Sequence, residues 1–189
     1  MGLGFDIGRI LGQYQGVDPQ QPPSEVEDHF DQVASNAPHE DLSEGVSEAF
    51  RSDQTPPFPN MLGQLFGQAN PHERTGMVNQ LLGSLGPAVL GSLLNRGGGG
   101  GMGGLGGLGG LGGLLGQLGG GGGQPQLTPE QVNQLRPEQV EELAQHAERE
   151  NPGIIDQMGR FCAQNPNLVK GLGGAALAIA LGKMAQRRG

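Results

Sequence analysis

The chain has 189 residues, of which 38 are glycine and 14 are proline, so more than a quarter of it resists regular structure. Aromatic residues make up only 4%, with one tyrosine and no tryptophan. Any hydrophobic core must therefore be aliphatic and small. The net charge of −8 argues against nucleic-acid binding as the main role, because an anionic chain lacks the basic surface that releases counterions from phosphates.

Composition divides the chain into four predicted segments. Residues 1–59 hold eleven acidic and two basic residues and are predicted as an acidic helical arm with a proline-rich end. Residues 60–96 are predicted as a helical hairpin that breaks at Gly86-Pro87, and 125–189 as a C-terminal helical bundle. Between them, 97–124 is predicted as a flexible, disordered Gly/Leu-rich linker, because each glycine inside a helix costs about 1 kcal/mol relative to alanine.

The acidic arm carries a helix-start signal and a helix-breaking segment. Ser24 and Glu27 have the spacing of a capping box, which predicts a helix that continues to about Asn36. The segment SDQTPPFPN, residues 52–60, is predicted to be extended, because each proline biases the preceding residue away from helix. Five apolar residues of the arm give it some capacity to dock elsewhere: Phe30, Val33, Leu42, Val46 and Phe50.

Later helix starts share one device, an asparagine followed by proline. The asparagine side chain can cap the helix, and proline lacks the amide that would go unpaired at the first helical position. The near-repeat LTPEQVNQL and LRPEQVEEL predicts two consecutive helices with a bend. The starts of this kind are Asn70-Pro71, Asn151-Pro152 and Asn165-Pro166, with Thr128-Pro129 and Arg136-Pro137 at the repeat.

Apolar spacing predicts an all-α fold of short capped helices, in two helical regions joined by the linker. Val140, Leu143, Ala144 and Ala147 share one helical face. The next helix places five apolar side chains on one side, namely Ile154, Ile155, Met158, Phe161 and Cys162. We find no stretch that alternates apolar and polar residues over the length of a strand.

Catalytic and metal-ligand patterns were not found. The four histidines lack the HExxH and ExxH spacings. Glu142, His146 and Glu150 stand four residues apart, which could hold a metal, although a solvated ladder of side chains is the favoured interpretation. Cys162 is predicted to be a buried structural thiol rather than a nucleophile, because it lies beside Phe161 on an apolar face. We therefore predict a protein that is not an enzyme, with no cofactor and no small-molecule substrate identified.

The C-terminal stretch NLVKGLGGAALAIALGKMAQRRG has ordered small residues. Gly174, Ala178 and Gly182 follow at steps of four, which permits close helix approach. Leu177 and Leu181 belong to the apolar stripe beside them. The helix is interpreted either as the buried centre of a small bundle, which is favoured, or as a self-associating or membrane-contacting element with a basic end. These five residues are the predicted interaction residues.

The runs GGLGGLLGQLGGGGGQ and LTPEQV, followed by QVEELAQ and PGIIDQM, resemble the YidB-like family of uncharacterised bacterial proteins. Members of that family also begin much like MGLGFD. The resemblance covers the C-terminal half of the chain. It implies a bacterial protein with an all-helical fold, and it brings no catalytic residues to carry over.

These observations favour a non-enzymatic helical protein that acts by self-association or by contacts with another protein. The alternative is a membrane-associated or membrane-active protein that uses the Leu/Gly tract and the C-terminal helix at a membrane surface. Asp6 and Arg9 interrupt the apolar run that an export signal needs. We therefore expect a cytoplasmic protein, with peripheral membrane association as an open alternative.

Overall fold

The structure, a computed structural model, describes residues 3–86 and 126–188. Within these ranges it has ten α-helices and no strand, which confirms the predicted all-α fold. The predicted linker, residues 97–124, lies outside the described residues. The helices are α1 (Leu3–Gln13), α2 (Val26–Asn36), α3 (His39–Arg51), α4 (Phe58–Gln68), α5 (Pro71–Ser84), α6 (Pro129–Val132), α7 (Pro137–Glu150), α8 (Ile154–Gln164), α9 (Pro166–Lys170) and α10 (Gly174–Arg188).

The chain forms two compact units that do not follow the predicted segments. Unit 1 contains Met1–Met61 and Ile155–Gly189, and unit 2 contains Leu62–Ile154. Residues 125–189 were predicted as one bundle, but the unit boundary divides them at Ile155. The physical reason is that α10 buries its apolar face against α3, α1 and α2, the helices of the acidic arm.

In unit 1, α10 is the central helix. Its side chains Leu177, Leu181 and Met184 are at most 1% exposed. Gly45 lets α3 cross α10 closely, because a Cβ at this position would lie only 2.7 Å from the carbonyl oxygen of Ala180. The five apolar residues of the arm that were predicted to dock are all buried, as expected of helices that cover a central one.

In unit 2, helices α5, α6 and α7 pack together around an aliphatic core. Helix α5 begins at the predicted Asn70 cap, whose side chain accepts hydrogen bonds from the amides of His72 and Glu73 at 3.0 and 2.9 Å. Thr128 caps α6 in the same way, because its side-chain oxygen accepts a hydrogen bond from the Gln131 amide. The predicted apolar face of α7 is fully buried: Val140, Leu143, Ala144 and Ala147.

Two predicted helix starts were wrong, and at a third, where α9 begins at Pro166 as predicted, the expected asparagine cap does not form. Ser24 does not cap α2, which begins at Val26 and has Glu25 at a cap position without a side-chain hydrogen bond. Asn151 accepts the amide of Gly153 in a turn, so α8 begins only at Ile154. Asn165 precedes α9 but makes no capping bond, because its side-chain amide donates to the Phe161 carbonyl oxygen at 2.9 Å.

The predicted extended segment 52–60 is also shorter than expected. Helix α4 begins at Phe58, inside that segment. Pro59 is tolerated in the first helical turn because the amide that it lacks would have no intrahelical partner there. Phe58 is buried and packs edge-on against Phe50, with ring centroids 5.3 Å apart, so tertiary packing fixes the start of this helix.

Candidate functional site

The five predicted interaction residues lie inside unit 1. Leu177 and Leu181 are fully buried, and Ala178 is 4% exposed. A Cβ on Gly174 would lie 2.8 Å from Pro22 Cγ, and one on Gly182 would lie 3.2 Å from the Tyr14 carbonyl oxygen. The small residues thus allow close approach to the arm of the same chain. Their role in contacts between chains stays a prediction.

A groove lined mainly by charged and polar residues runs along α3. The carbonyl oxygen of Ala163 bonds to His39 at one end of α3, and Asp156 pairs with Arg51 at the other. Helices α3 and α8 are therefore antiparallel. Where they cross, a Cβ on Gly159 would lie only 2.7 Å from the Ser43 carbonyl oxygen, so the glycine permits the close approach. This close crossing leaves an open concavity beside the two helices.

We call this concavity the α3 groove. Its volume is about 680 Å³, within the range of about 300–1,000 Å³ that ligand pockets occupy. Seven of its residues come from one face of α3, four from α8 and one from α10. They are His39, Glu40, Ser43, Glu44, Ser47, Glu48 and Arg51; Asp156, Arg160, Ala163 and Gln164; and Lys183.

Ion pairs join α3 to its neighbours at the end of the groove nearest Arg51. The Arg51 guanidinium donates to the Asp156 carboxylate at 2.8 Å, and the Lys183 ammonium lies 3.6 Å from the Glu48 carboxylate. Glu44 lines the groove and pairs with Arg187, which does not line it. All these side chains are between about two fifths and half exposed, so each pair contributes at most about 1 kcal/mol to stability. In these pairs the acidic and basic side chains neutralise one another.

Two charged residues of the groove lining have no such partners among the described residues. Glu40 and Arg160 are exposed, and neither forms an ion pair with any other described residue. His39 contacts the Ala163 carbonyl oxygen through Nδ1 at 3.2 Å. A carbonyl only accepts, so Nδ1 donates to it; when the ring carries a single proton, Nε2 is left as an acceptor.

The floor of the groove is formed by two buried serines. The Ser43 hydroxyl donates to the Glu40 carbonyl oxygen at 2.9 Å, and the Ser47 hydroxyl donates to the Ser43 carbonyl oxygen at 2.8 Å. Because each hydroxyl has one proton, both oxygens can offer a ligand only acceptor lone pairs. Neither serine is hydrogen-bonded to a base that would activate it as a nucleophile.

Other reactive groups of the described chain lie apart from the groove. Cys162 is not part of a disulfide and has no exposed surface, as the sequence predicted. Tyr14 is buried and bonds to His29 Nδ1 at 2.8 Å. Burial, followed by the charge of Glu25, raises the pKa of Tyr14 above its ordinary value of 10.0. We therefore interpret Cys162 and Tyr14 as structural residues.

Two alternatives from the sequence can be compared with the described residues: a metal site and contact with a membrane. No group of three or more His, Cys, Asp or Glu side chains in residues 3–86 and 126–188 is arranged to hold a metal ion, and this includes Glu142, His146 and Glu150. Over the same ranges, no helix combines the length and apolar character needed to cross a bilayer.

No family model, no curated protein and no solved structure matches the chain. The resemblance to the YidB-like family therefore stays an expectation. Sequence reasoning missed the α3 groove, although α3 carried one usable signal. Glu40, Glu44 and Glu48 stand four residues apart with Ser43 and Ser47 between them, a pattern that places a polar face on a helix whose other face is apolar.

Proposed function

We propose that this is a non-enzymatic helical protein that acts by binding a protein, either a different one or its own kind, and that the α3 groove is the binding surface. The observation that carries the proposal is a groove of about 680 Å³, lined mainly by charged and polar residues, on a unit that buries most of its apolar side chains in its own core. Specific polar groups around a cavity of this size are what recognition requires.

The bonding within the groove supports binding rather than catalysis. Catalysis requires a nucleophile or base that is held and oriented by a third group. Here the serine protons are donated to helix carbonyl oxygens, and Arg51, Asp156, Glu48 and Lys183 pair with one another. These residues give the surface a fixed pattern of charge, which favours selective contact with a complementary protein.

Placement of α10 bears on the membrane-associated alternative. Its leucines are buried in unit 1, so contact with a membrane through them would require the helix to leave its place in the core. Flotation of the full chain with anionic vesicles tests this alternative. We expect no bound fraction that depends on Leu177 or Leu181.

Site-specific photo-crosslinking in the cells that naturally express the protein tests the proposed function. A photoreactive amino acid replaces Gln164, which lines the groove, or Gln32, which is exposed on α2 outside it. We expect a discrete adduct from position 164 and none from position 32. Mass spectrometry of the adduct distinguishes a second copy from another protein. The absence of any adduct at 164, with the protein folded, would contradict the proposal.

A further inference from the structure

The α3 groove separates its charges into two sets. Toward Arg51, the acidic and basic side chains neutralise one another in the pairs Arg51–Asp156 and Glu48–Lys183. Glu40 and Arg160 line the same cavity with opposite charges and without ion-pair partners among the described residues. An occupant of the groove therefore meets one unpaired negative charge and one unpaired positive charge.

We infer that the α3 groove binds a short peptide segment of a partner protein that presents one basic and one acidic side chain, the basic one to Glu40 and the acidic one to Arg160. The inference rests on the proposed function and names the chemistry of the partner. A guanidinium such as that of Arg160 can bind a carboxylate through two parallel hydrogen bonds. Glu40 offers the matching acceptor for an ammonium or guanidinium group.

The neutral groups of the groove fit a peptide backbone. The Ser43 oxygen can only accept, because its proton is donated to the Glu40 carbonyl oxygen, and His39 Nε2 accepts when the ring carries its single proton on Nδ1. Backbone amides of an extended segment are suitable donors to them. Helix α3 has 13 residues and so is about 20 Å long, which an extended peptide spans with about six residues.

Ligands of a single sign fit less well. A polyanion that pairs with Arg160 must also approach Glu40, Glu44 and Glu48 on the same face of α3. A purely basic segment that pairs with Glu40 must lie beside Arg160. In either case one like-charge contact opposes binding, and such contacts are a common source of selectivity between partners.

Binding of the full-length protein to immobilised six-residue peptides tests the inference. Three sets are compared, each built on glycine and serine: peptides with two lysines, peptides with two aspartates, and peptides with one lysine and one aspartate in both orders. We expect the mixed set to bind most strongly and one order to be preferred. Glu40→Lys and Arg160→Glu should each weaken binding of the preferred order by about three- to tenfold.

The double variant E40K/R160E provides the decisive comparison, because it should prefer the peptide with lysine and aspartate exchanged. Glu27→Lys and Arg9→Glu make the same charge changes at exposed positions outside the groove and should leave binding unchanged. Circular dichroism verifies that each variant is folded.

The outcomes separate the inference from the proposed function. Stronger binding of a single-sign set, no binding of any peptide, or equal effects of groove and control variants would overturn the inference. An adduct at position 164 alongside any of these results would leave the proposed function standing. A third outcome is selective binding of mixed peptides together with a crosslinked adduct that proves to be a second copy of this chain. It would show that the bound segment belongs to this protein itself, and it would overturn the inference that the partner is a different protein.

Discussion

The side-chain amide of Asn79 forms two hydrogen bonds with the backbone of Leu127. Its oxygen accepts from the Leu127 amide at 2.8 Å, and its nitrogen donates to the Leu127 carbonyl oxygen at 3.1 Å. Leu127 is 3% exposed, so water cannot readily replace either bond. This pairing joins α5 to Leu127, two residues before the start of α6, within unit 2 and across 48 positions of sequence.

Asn79→Ala should destabilise unit 2 by about 1–3 kcal/mol, because it leaves two buried backbone groups without partners. Asn133→Ala, at an exposed position of the same unit, should change stability by no more than about 0.5 kcal/mol. Urea unfolding followed by circular dichroism at 222 nm measures both. Equal midpoints for the two variants would contradict the pairing.

The close crossing of α3 and α10 makes Gly45 sensitive to substitution. Gly45→Ala would push a methyl group against the Ala180 carbonyl oxygen and should destabilise unit 1 by about 1–3 kcal/mol. Gly12→Ala is the matched control, because nothing lies within 4 Å of its added Cβ and it stands in α1. Alanine there should be neutral or stabilise by up to about 1 kcal/mol. The fluorescence of Tyr14, the only tyrosine in a chain without tryptophan, reports urea unfolding of this unit.

Tyr14 should titrate at an unusually high pH. Burial disfavours its charged form, and the Glu25 carboxylate does so further, so the pKa of Tyr14 is raised above 10.0. Absorbance at 295 nm reports this residue alone and should give a midpoint above 10 in buffer and near 10 in urea. Glu25→Gln should lower the midpoint. A native midpoint at or below the one in urea would contradict the buried placement.

Because the pKa of Tyr14 is raised, the free energy of unfolding should depend on pH in the alkaline range. Between the unfolded and folded pKa values the unfolded chain binds fewer protons than the folded chain, so the free energy of unfolding falls as pH rises. The contribution of Tyr14 is therefore fully present below pH 10 and is lost as the pH rises through the folded-state pKa. Tyr14→Phe should remove this part of the pH dependence, which urea midpoints measured by circular dichroism between pH 8 and 11 can show.

Cys162 offers an independent measure of opening in unit 1. It is the only cysteine and has no exposed surface, so a thiol reagent reaches it only when the surrounding helices separate. We expect the thiol to react at least about a hundredfold more slowly in buffer than in urea, which corresponds to about 2.7 kcal/mol of protection. Gly45→Ala should accelerate the native reaction, whereas Gly12→Ala should not. Fast reaction of the native wild-type protein would show that this thiol is accessible.

Local signals predicted much of the helical structure because their causes are local. Asn70 and Thr128 cap helices through residues within one turn, and the apolar face of α7 needs only its own spacing to be recognised. Ser24 failed because the start of α2 follows from the chain entering it: the amide of Val26 bonds to the Pro23 carbonyl oxygen in a turn, and Val26 is buried. Phe58 likewise begins α4 because it packs on Phe50.

The two units and the α3 groove could not be derived in this way. The groove exists because α3 meets α8 and α10, which lie more than a hundred positions away in the sequence. Periodicity shows that each helix has an apolar face, but it does not show which faces meet. Gly45 and Gly159, which permit the two close crossings, are indistinguishable in sequence from glycines such as Gly12 that meet nothing.

Unit 1 is assembled from two stretches of chain that are made at different times. More than a hundred residues separate the end of α3 from the start of α10, which at about 5–20 residues per second corresponds to roughly 6–25 seconds of translation. During that interval Phe30, Leu42 and Val46 have no α10 to cover them, and all of unit 2 is synthesised before α10. The nascent arm should therefore depend on chaperones that hold it until the last helix emerges.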